Sequence, residues 1–188
     1  MNMKNEKLKP FKIKNEKEIF EVKNKLSIIK TDLITPLGEN ATWHYVNAPD
    51  VVLVVALDTN NNIYLQREWR LARKDFLWEI TSGKIEVDSP TEKDFFNIVQ
   101  KELQEEIGFK AGKIEKIISF YLDNHSNKIY HLFVATDLKK SKLGGDEYEY
   151  LEVKKFSLKE AWEITIEKQI PNAQTLIALL LLKERYES

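Results

Sequence analysis

Apolar and polar positions follow two rhythms along this chain, and the change from one to the other separates strands from helices. Val51 to Leu57 is an unbroken apolar run, Val-Val-Leu-Val-Val-Ala-Leu, and its β-branched content and short length predict a strand buried on both faces. Asp58 to Asn62 reads as a turn, after which Ile63 to Arg70 alternates. Ile63, Leu65, Arg67 and Trp69 fall on one face, Tyr64, Gln66, Glu68 and Arg70 on the other, so a hairpin is expected. Phe76 to Thr81 predicts a further strand that breaks at Ser82-Gly83. Upstream, Leu26–Ile29 with Asp32–Thr35, then Thr42–Val46, are divided by Pro36 and Gly38 and predict an N-terminal hairpin. Downstream, Ile114–Leu122 and Lys128–Ala135 predict two more strands, and Ser157–Thr165 and the stretch from Pro171 two helices. The first nine or so residues, rich in Lys, Asn and Glu, are expected to fray.

Between Gly83 and Gly108 the period lengthens. Phe96, Val99, Leu103 and Ile107 are spaced three, four and four, the apolar stripe of an amphipathic helix, and Gly108 is the expected left-handed stop with Phe109 as its hydrophobic contact. The last turn carries Glu102, Glu105 and Glu106. Their spacing sets three carboxylates side by side, where like charges repel by a few tenths of a kcal/mol per pair. Water and salt offset such repulsion at a solvated face, which is the ordinary reading of an acidic turn met alone. A hard divalent cation offsets it as well, since it prefers oxygen ligands and is held by one or two carboxylates together with substrate phosphates.

Composition narrows the choices. With 188 residues, 43% of them hydrophobic and 11% aromatic, one core and a single domain over 1–188 are expected. A net charge of −1 without a basic stripe excludes nucleic acid and anionic membrane as partners. The chain has no cysteine, so disulfides and thiolate metal sites are excluded, a reducing compartment is permitted, and any metal must use oxygen or the three histidines. Met1 to Lys25 holds no apolar segment of signal-peptide length, and the longest apolar run, Leu176 to Leu182, is too short to span a bilayer. A soluble cytoplasmic protein without internal repeats is expected.

The succession of strand, glycine loop, long helix and acidic last turn resembles the Nudix box, G-x5-E-x7-R-E-U-x-E-E-x-G-U with U apolar. Lys101-Glu102-Leu103-Gln104-Glu105-Glu106-Ile107-Gly108-Phe109 matches its second half. Two features depart from the pattern. Glu102 follows Gly83 by nineteen residues instead of fifteen, and Lys101 stands where the pattern has arginine, keeping the charge and losing the planar fork. Glu92 is the nearest counterpart of the upstream glutamate.

The resemblance runs from about Trp43 to Lys183 and is to the ADP-ribose pyrophosphatase branch of that family. It implies an α/β fold, the Nudix α/β/α sandwich on a mixed sheet, preceded by a small N-terminal β-hairpin subdomain over residues 26–47. In that branch the hairpin crosses to the partner of a homodimer and an aromatic stacks on the adenine, which here is Trp43; composition alone makes Trp43 an ordinary core aromatic. Gln66-Arg67-Glu68-Trp69-Arg70 resembles an R-Q-Y-R strand end, which makes Arg70 a ligand of the diphosphate and Arg67 a weaker candidate, since alternation turns it to the opposite face. By the same resemblance Glu102 and Glu106, with Glu105 assisting and the Ser82 carbonyl joining, hold Mg²⁺, with Mn²⁺ the alternative ion. Gly144 to Val153 resembles the D-E-x-E-x-[LIV]-E-V loop that supplies a water-activating glutamate, here Glu149, then Glu147, with Glu152 structural. Ile170 to Thr175 resembles the family's I-x-D-A-x-T segment. The family's Ser-Pro-Gly signature is missing from Asp123–Asn127, where His125 reads as exposed; His131 reads as a satisfied strand histidine. The implied activity is metal-dependent hydrolysis of a nucleoside diphosphate sugar, ADP-ribose preferred, giving AMP and ribose 5-phosphate. Two alternatives stand beside it: another nucleotide sugar such as GDP-mannose, and a catalytically weak nucleotide-binding protein, for which Lys101 and the longer loop argue.

Overall fold

The computed structural model describes residues 9–23, 25–144 and 150–187. The stretch expected to fray lies outside them except for Lys9. The chain divides into two compact units, residues 1–49 with 121–128, and residues 50–120 with 129–188.

The first unit is a three-stranded antiparallel sheet of β1 (Lys12–Val22), β2 (Leu26–Ile34) and β3 (Asn40–Asn47), in that order. β2 and β3 are the expected hairpin, and Gly38 at its turn has φ 88°, a conformation that favours glycine. β1 adds a strand that the alternation of residues does not predict. Every one of its eleven residues is exposed, so it lacks the one-sided apolar face by which half-buried strands are recognised. Its pairing is reinforced by side chains, such as Thr31 Oγ1 donating to Glu16 at 3.0 Å. Residues 121–128 join this unit where the Val46 amide donates to the His125 carbonyl at 2.7 Å.

The second unit holds a mixed sheet of seven strands: β4 (Val51–Leu57), β5 (Ile63–Arg70), β6 (Asp75–Glu79), β7 (Thr81–Lys84), β8 (Phe109–Phe120), β9 (Tyr130–Lys140) and β10 (Glu152–Phe156). The main order is β10-β5-β4-β9-β8, with β4 and β9 parallel. β4 and β5 pair at Ala56–Tyr64 and Leu57–Ile63 and then part. The segment 75–84 fills this fork, pairing first as β6 with β5 and then as β7 with β4. Ile80 is the crossing point, and its amide is satisfied by Thr175 Oγ1 at 3.3 Å.

Among the described residues three helices cover the sheet. α1 (Glu92–Glu102) starts at a reciprocal cap between Thr91 and Asp94 and runs on into a π-helical turn, Leu103–Ile107, which the Gly108 amide closes on the Leu103 carbonyl. Gly108 has φ 78°, the left-handed stop that was expected. α2 (Leu158–Trp162) begins at a Ser157–Glu160 cap and also continues as a π turn, Glu163–Glu167. α3 (Ala173–Glu187) begins where Asn172 Oδ1 accepts from the Thr175 amide at 2.7 Å. Strand alternation gives the sheet two apolar faces. Val52, Val54, Ala56, Phe133 and Ala135 pack under Val99, Leu103 and Ile107 of the α1 segment. Leu53, Val55, Leu57, Leu132 and Val134 pack under Ala161, Ala178, Leu179 and Leu182 of α2 and α3. This is the expected α/β/α sandwich, and each large aliphatic buried in it contributes about 1.5–3 kcal/mol. One position of the α1 stripe differs. Phe95, not Phe96, packs on Phe133, while Phe96 stays 45% exposed, because only one of two adjacent side chains can face the sheet. No helix among the described residues is long and apolar enough to cross a membrane.

Candidate active site

The acidic turn lies over the fork. Because residues 103–107 form a π turn, Glu105 and Glu106 belong to a wider coil than the α-helix whose last residue is Glu102, and such turns recur at functional sites. Its carbonyls are held from outside: Lys142 Nζ donates to the Glu105 carbonyl at 2.6 Å, the Leu143 amide to the Gln104 carbonyl at 3.1 Å, and the Ser141 amide to the Gly108 carbonyl at 2.9 Å. Gln104 Nε2 adds a bond to Ser141 Oγ at 2.7 Å. Together they satisfy groups that a helix end otherwise leaves open.

Beneath the turn runs β7. Glu106 is 6% exposed, and its Oε2 accepts from the Ser82 amide at 3.1 Å. Glu102 lies against Gly83 so closely that a Cβ there would stand 2.2 Å from its carboxyl carbon. The structure therefore brings Ser82, Gly83, Glu102 and Glu106 together. Glu105 turns aside, with Oε2 3.2 Å from Lys101 Nζ. Oxygen donors of this kind, one carboxylate cradled on a glycine and one fixed by a backbone amide, fit a hard divalent cation. Among the described residues no three acidic or histidine side chains form a ready-made metal cluster, so Glu102 and Glu106 would share the ion with backbone and substrate oxygens.

Arg70 is the last residue of β5, a strand that the π turn contacts. Its Nε donates to Glu79 Oε2 at 3.0 Å, its Nη2 reaches the same oxygen, and its Nη1 is 3.0 Å from Glu68. Burial alone would lower the Arg70 pKa; the Glu79 hydrogen bond and charge, then Glu68 and Glu106, overcome it and raise the pKa above its ordinary value. Arg67 is not brought to the acidic turn. It lies over the Phe76 and Trp78 rings, 5.4 and 5.9 Å from their centroids, and 3.7 Å from Glu152. Glu152 thus pairs with Arg67 on the sheet edge. Glu147 and Glu149 lie outside the described residues. Trp43 is 54% exposed on β3 of the first unit, its ring 4.7 Å from that of Phe11.

Sequence reasoning missed Glu79 as the buried partner of Arg70. A signal was present, a lone acid inside the apolar run Phe76 to Ile80, since a charge in such a run needs a counter-ion. His131 was expected to be satisfied and is so at one nitrogen. Nδ1 is 2.9 Å from Ser119 Oγ, while buried Nε2 has no hydrogen-bond partner and stands 3.6 Å from Asp50.

Comparison with known proteins identifies the family and the fold. Residues 47–180 match the NUDIX domain. The chain is 30% identical over 155 residues to a methanol dehydrogenase activator of Bacillus methanolicus, covering 81% of this chain and 82% of that one. It is 29% identical over 162 residues to the ADP-ribose pyrophosphatase of Bacillus subtilis (strain 168), covering 84% and 85%. A crystal structure of an ADP compounds hydrolase superposes with a TM-score of 0.84 over 97% of both chains, at 19% identity, which shows the shared fold. The chain belongs to the Nudix hydrolase family, in the branch that resembles ADP-ribose pyrophosphatases.

Proposed function

We propose that this enzyme hydrolyses the diphosphate bond of a nucleoside diphosphate sugar, with ADP-ribose preferred and AMP and ribose 5-phosphate as products. The observation that carries the reading is the pressing of Glu102 and Glu106 onto Ser82-Gly83. Glu102 and Glu106, with the Ser82 carbonyl, would hold a divalent cation, Mg²⁺ first and Mn²⁺ second, which would supply neutralisation of phosphoryl charge and acidification of water. Arg70 grips a phosphate with its planar fork. Glu149 accepts the proton of the attacking water as the new P–O bond forms and the bridging P–O bond breaks. Glu149 stands three residues before Glu152, which pairs with Arg67 on β5. Glu105 assists by fixing Lys101, and through it the outer side of the turn. The similarity to an ADP-ribose pyrophosphatase supports the choice of substrate. We further take both units to work as one domain in a cytoplasmic homodimer, with Trp43 stacking on the adenine.

The deciding assay offers ADP-ribose and GDP-mannose with and without Mg²⁺ and identifies the products. Turnover of ADP-ribose that requires the metal supports the reading. Faster turnover of GDP-mannose moves the substrate, and ligand binding without turnover under either condition leaves a nucleotide-binding protein. The similarity to a methanol dehydrogenase activator favours a second reading, in which the same hydrolysis serves activation of a partner dehydrogenase. Addition of the chain to a methanol dehydrogenase assay tests it, and an unchanged rate removes it.

A further inference from the structure

Gln66 is 0% exposed on β5, and neither end of its amide has a hydrogen-bond partner. The fold does not neglect buried amides in general. Gln100, the other buried glutamine among the described residues, uses both ends on the backbone of Ala111, at 2.6 and 3.0 Å. An unpartnered polar group inside a packed core is destabilising, so its presence asks for a state in which it is used. The register names the group it would serve. Gln66 lies directly opposite Glu79 across β5 and β6, and side chains so paired share one sheet face about 4.5–5.5 Å apart at Cβ. Glu79 is 2% exposed and receives Arg70 on a single oxygen, Oε2. Two residues further on, Thr81 is 1% exposed and its hydroxyl also has no partner. A buried carboxylate thus has one cationic partner and two unemployed donors close by in the fork.

We propose that Gln66 is a positioning residue that takes over Glu79 when Arg70 turns to the diphosphate, with the Thr81 hydroxyl as a second donor. The inference rests on the reading of Arg70 as the phosphate ligand. Arg70 gives Nε and Nη2 to Glu79 and Nη1 to Glu68 in the arrangement described, so turning that side of its fork to phosphate means giving up at least one of these contacts. Glu79 cannot be left bare, because a buried charge without donors is strongly unfavourable. The Gln66 amide N–H removes that obstacle without moving the backbone, and Arg70 becomes available to substrate.

The test is Gln66→Met, which keeps length and removes both unpartnered atoms. The melting temperature should rise, since the change deletes a buried unsatisfied amide. Affinity for ADP-ribose, measured by calorimetry without divalent ion, should fall by about tenfold or more. In a Glu79→Gln background the same change should cause no further loss, because a neutral side chain no longer needs the reserve donor. Unchanged affinity in Gln66→Met overturns the proposal, as does a loss that persists in the Glu79→Gln background. Arg70→Ala is the control. If it binds ADP-ribose as the parent does, the phosphate reading of Arg70 fails, and the reserve role of Gln66 falls with it.

Discussion

Glu102 and Gly83 occupy each other's space: the carboxylate fills the position that a Cβ on Gly83 would take, 2.2 Å from its carboxyl carbon. Gly83 is therefore required by its lack of a side chain. Gly83→Ala should fold, because the obstructing atoms are the end of a flexible side chain that can swing away. Metal-dependent turnover should drop by at least about tenfold, in keeping with the loss from displacing a metal-site residue, with little change in melting temperature. A Gly83→Ala enzyme at parental rate would show that Glu102 need not lie there.

Glu106→Gln separates charge from shape. The amide oxygen can still accept from the Ser82 amide, so folding should survive. Removing a ligand's charge should lower turnover by more than the ~10–100-fold typical of losing an outer partner of a metal site. Steady-state kinetics over a range of Mg²⁺ concentrations checks this, and unchanged turnover would sink the assignment.

His131 makes stability depend on pH. Its pKa lies below the ordinary histidine value, through burial first and the charge of Lys116 second, with Asp50 acting the other way. The unfolded chain then takes up a proton near pH 6.5 that the folded protein refuses until lower pH. Above that range both states are neutral and the group contributes nothing. As pH falls from about 7.5 to about 5.5, stability should decline. Urea midpoints should show the decline, and His131→Gln should flatten it whatever its effect at neutral pH; an equal slope in the variant would exclude His131.

Trp43 tests the partner site. Stacking on a base is worth about 1–3 kcal/mol, so Trp43→Ala should raise KM for ADP-ribose roughly tenfold or more and alter kcat less. Light scattering should find a dimer. A lower melting temperature with unchanged KM would assign Trp43 to its contact with Phe11 and remove the adenine role.

The parts of the fold that were legible in the sequence are those where one physical demand acts alone. Val51–Leu57 had to be a doubly buried strand because nothing in it tolerates water, and Gly108 had to end its helix because the chain turns left-handed there. Arg67 was read to the face where it lies, since alternation on a strand admits no third option. The features that escaped have more than one solution in the same residues. β1 is polar on both sides, so no periodicity distinguishes it from an exposed coil. A π turn has the composition of an α turn. The fork depends on Ile80 changing neighbours, which is decided by the sheet as a whole. The crowding of three carboxylates on the acidic turn is read directly from their spacing; the pairing of Glu79 with Arg70 and the place of Gln66 opposite Glu79 emerge only in the folded sheet.

The Thr91–Asp94 cap restarts the chain before α1, and Val99, Leu103 and Ile107 anchor the helix and its π turn to the sheet. Between Gly83 and the cap the chain runs through the mostly exposed stretch 86–91, where added length costs no packing. Where Glu102 meets Gly83 is determined by how the helix seats on the strands, and the length of the tether has no vote in it. The approach of Glu102 to Gly83 is thus written in the packing of helix on strand and not in the residue count between them.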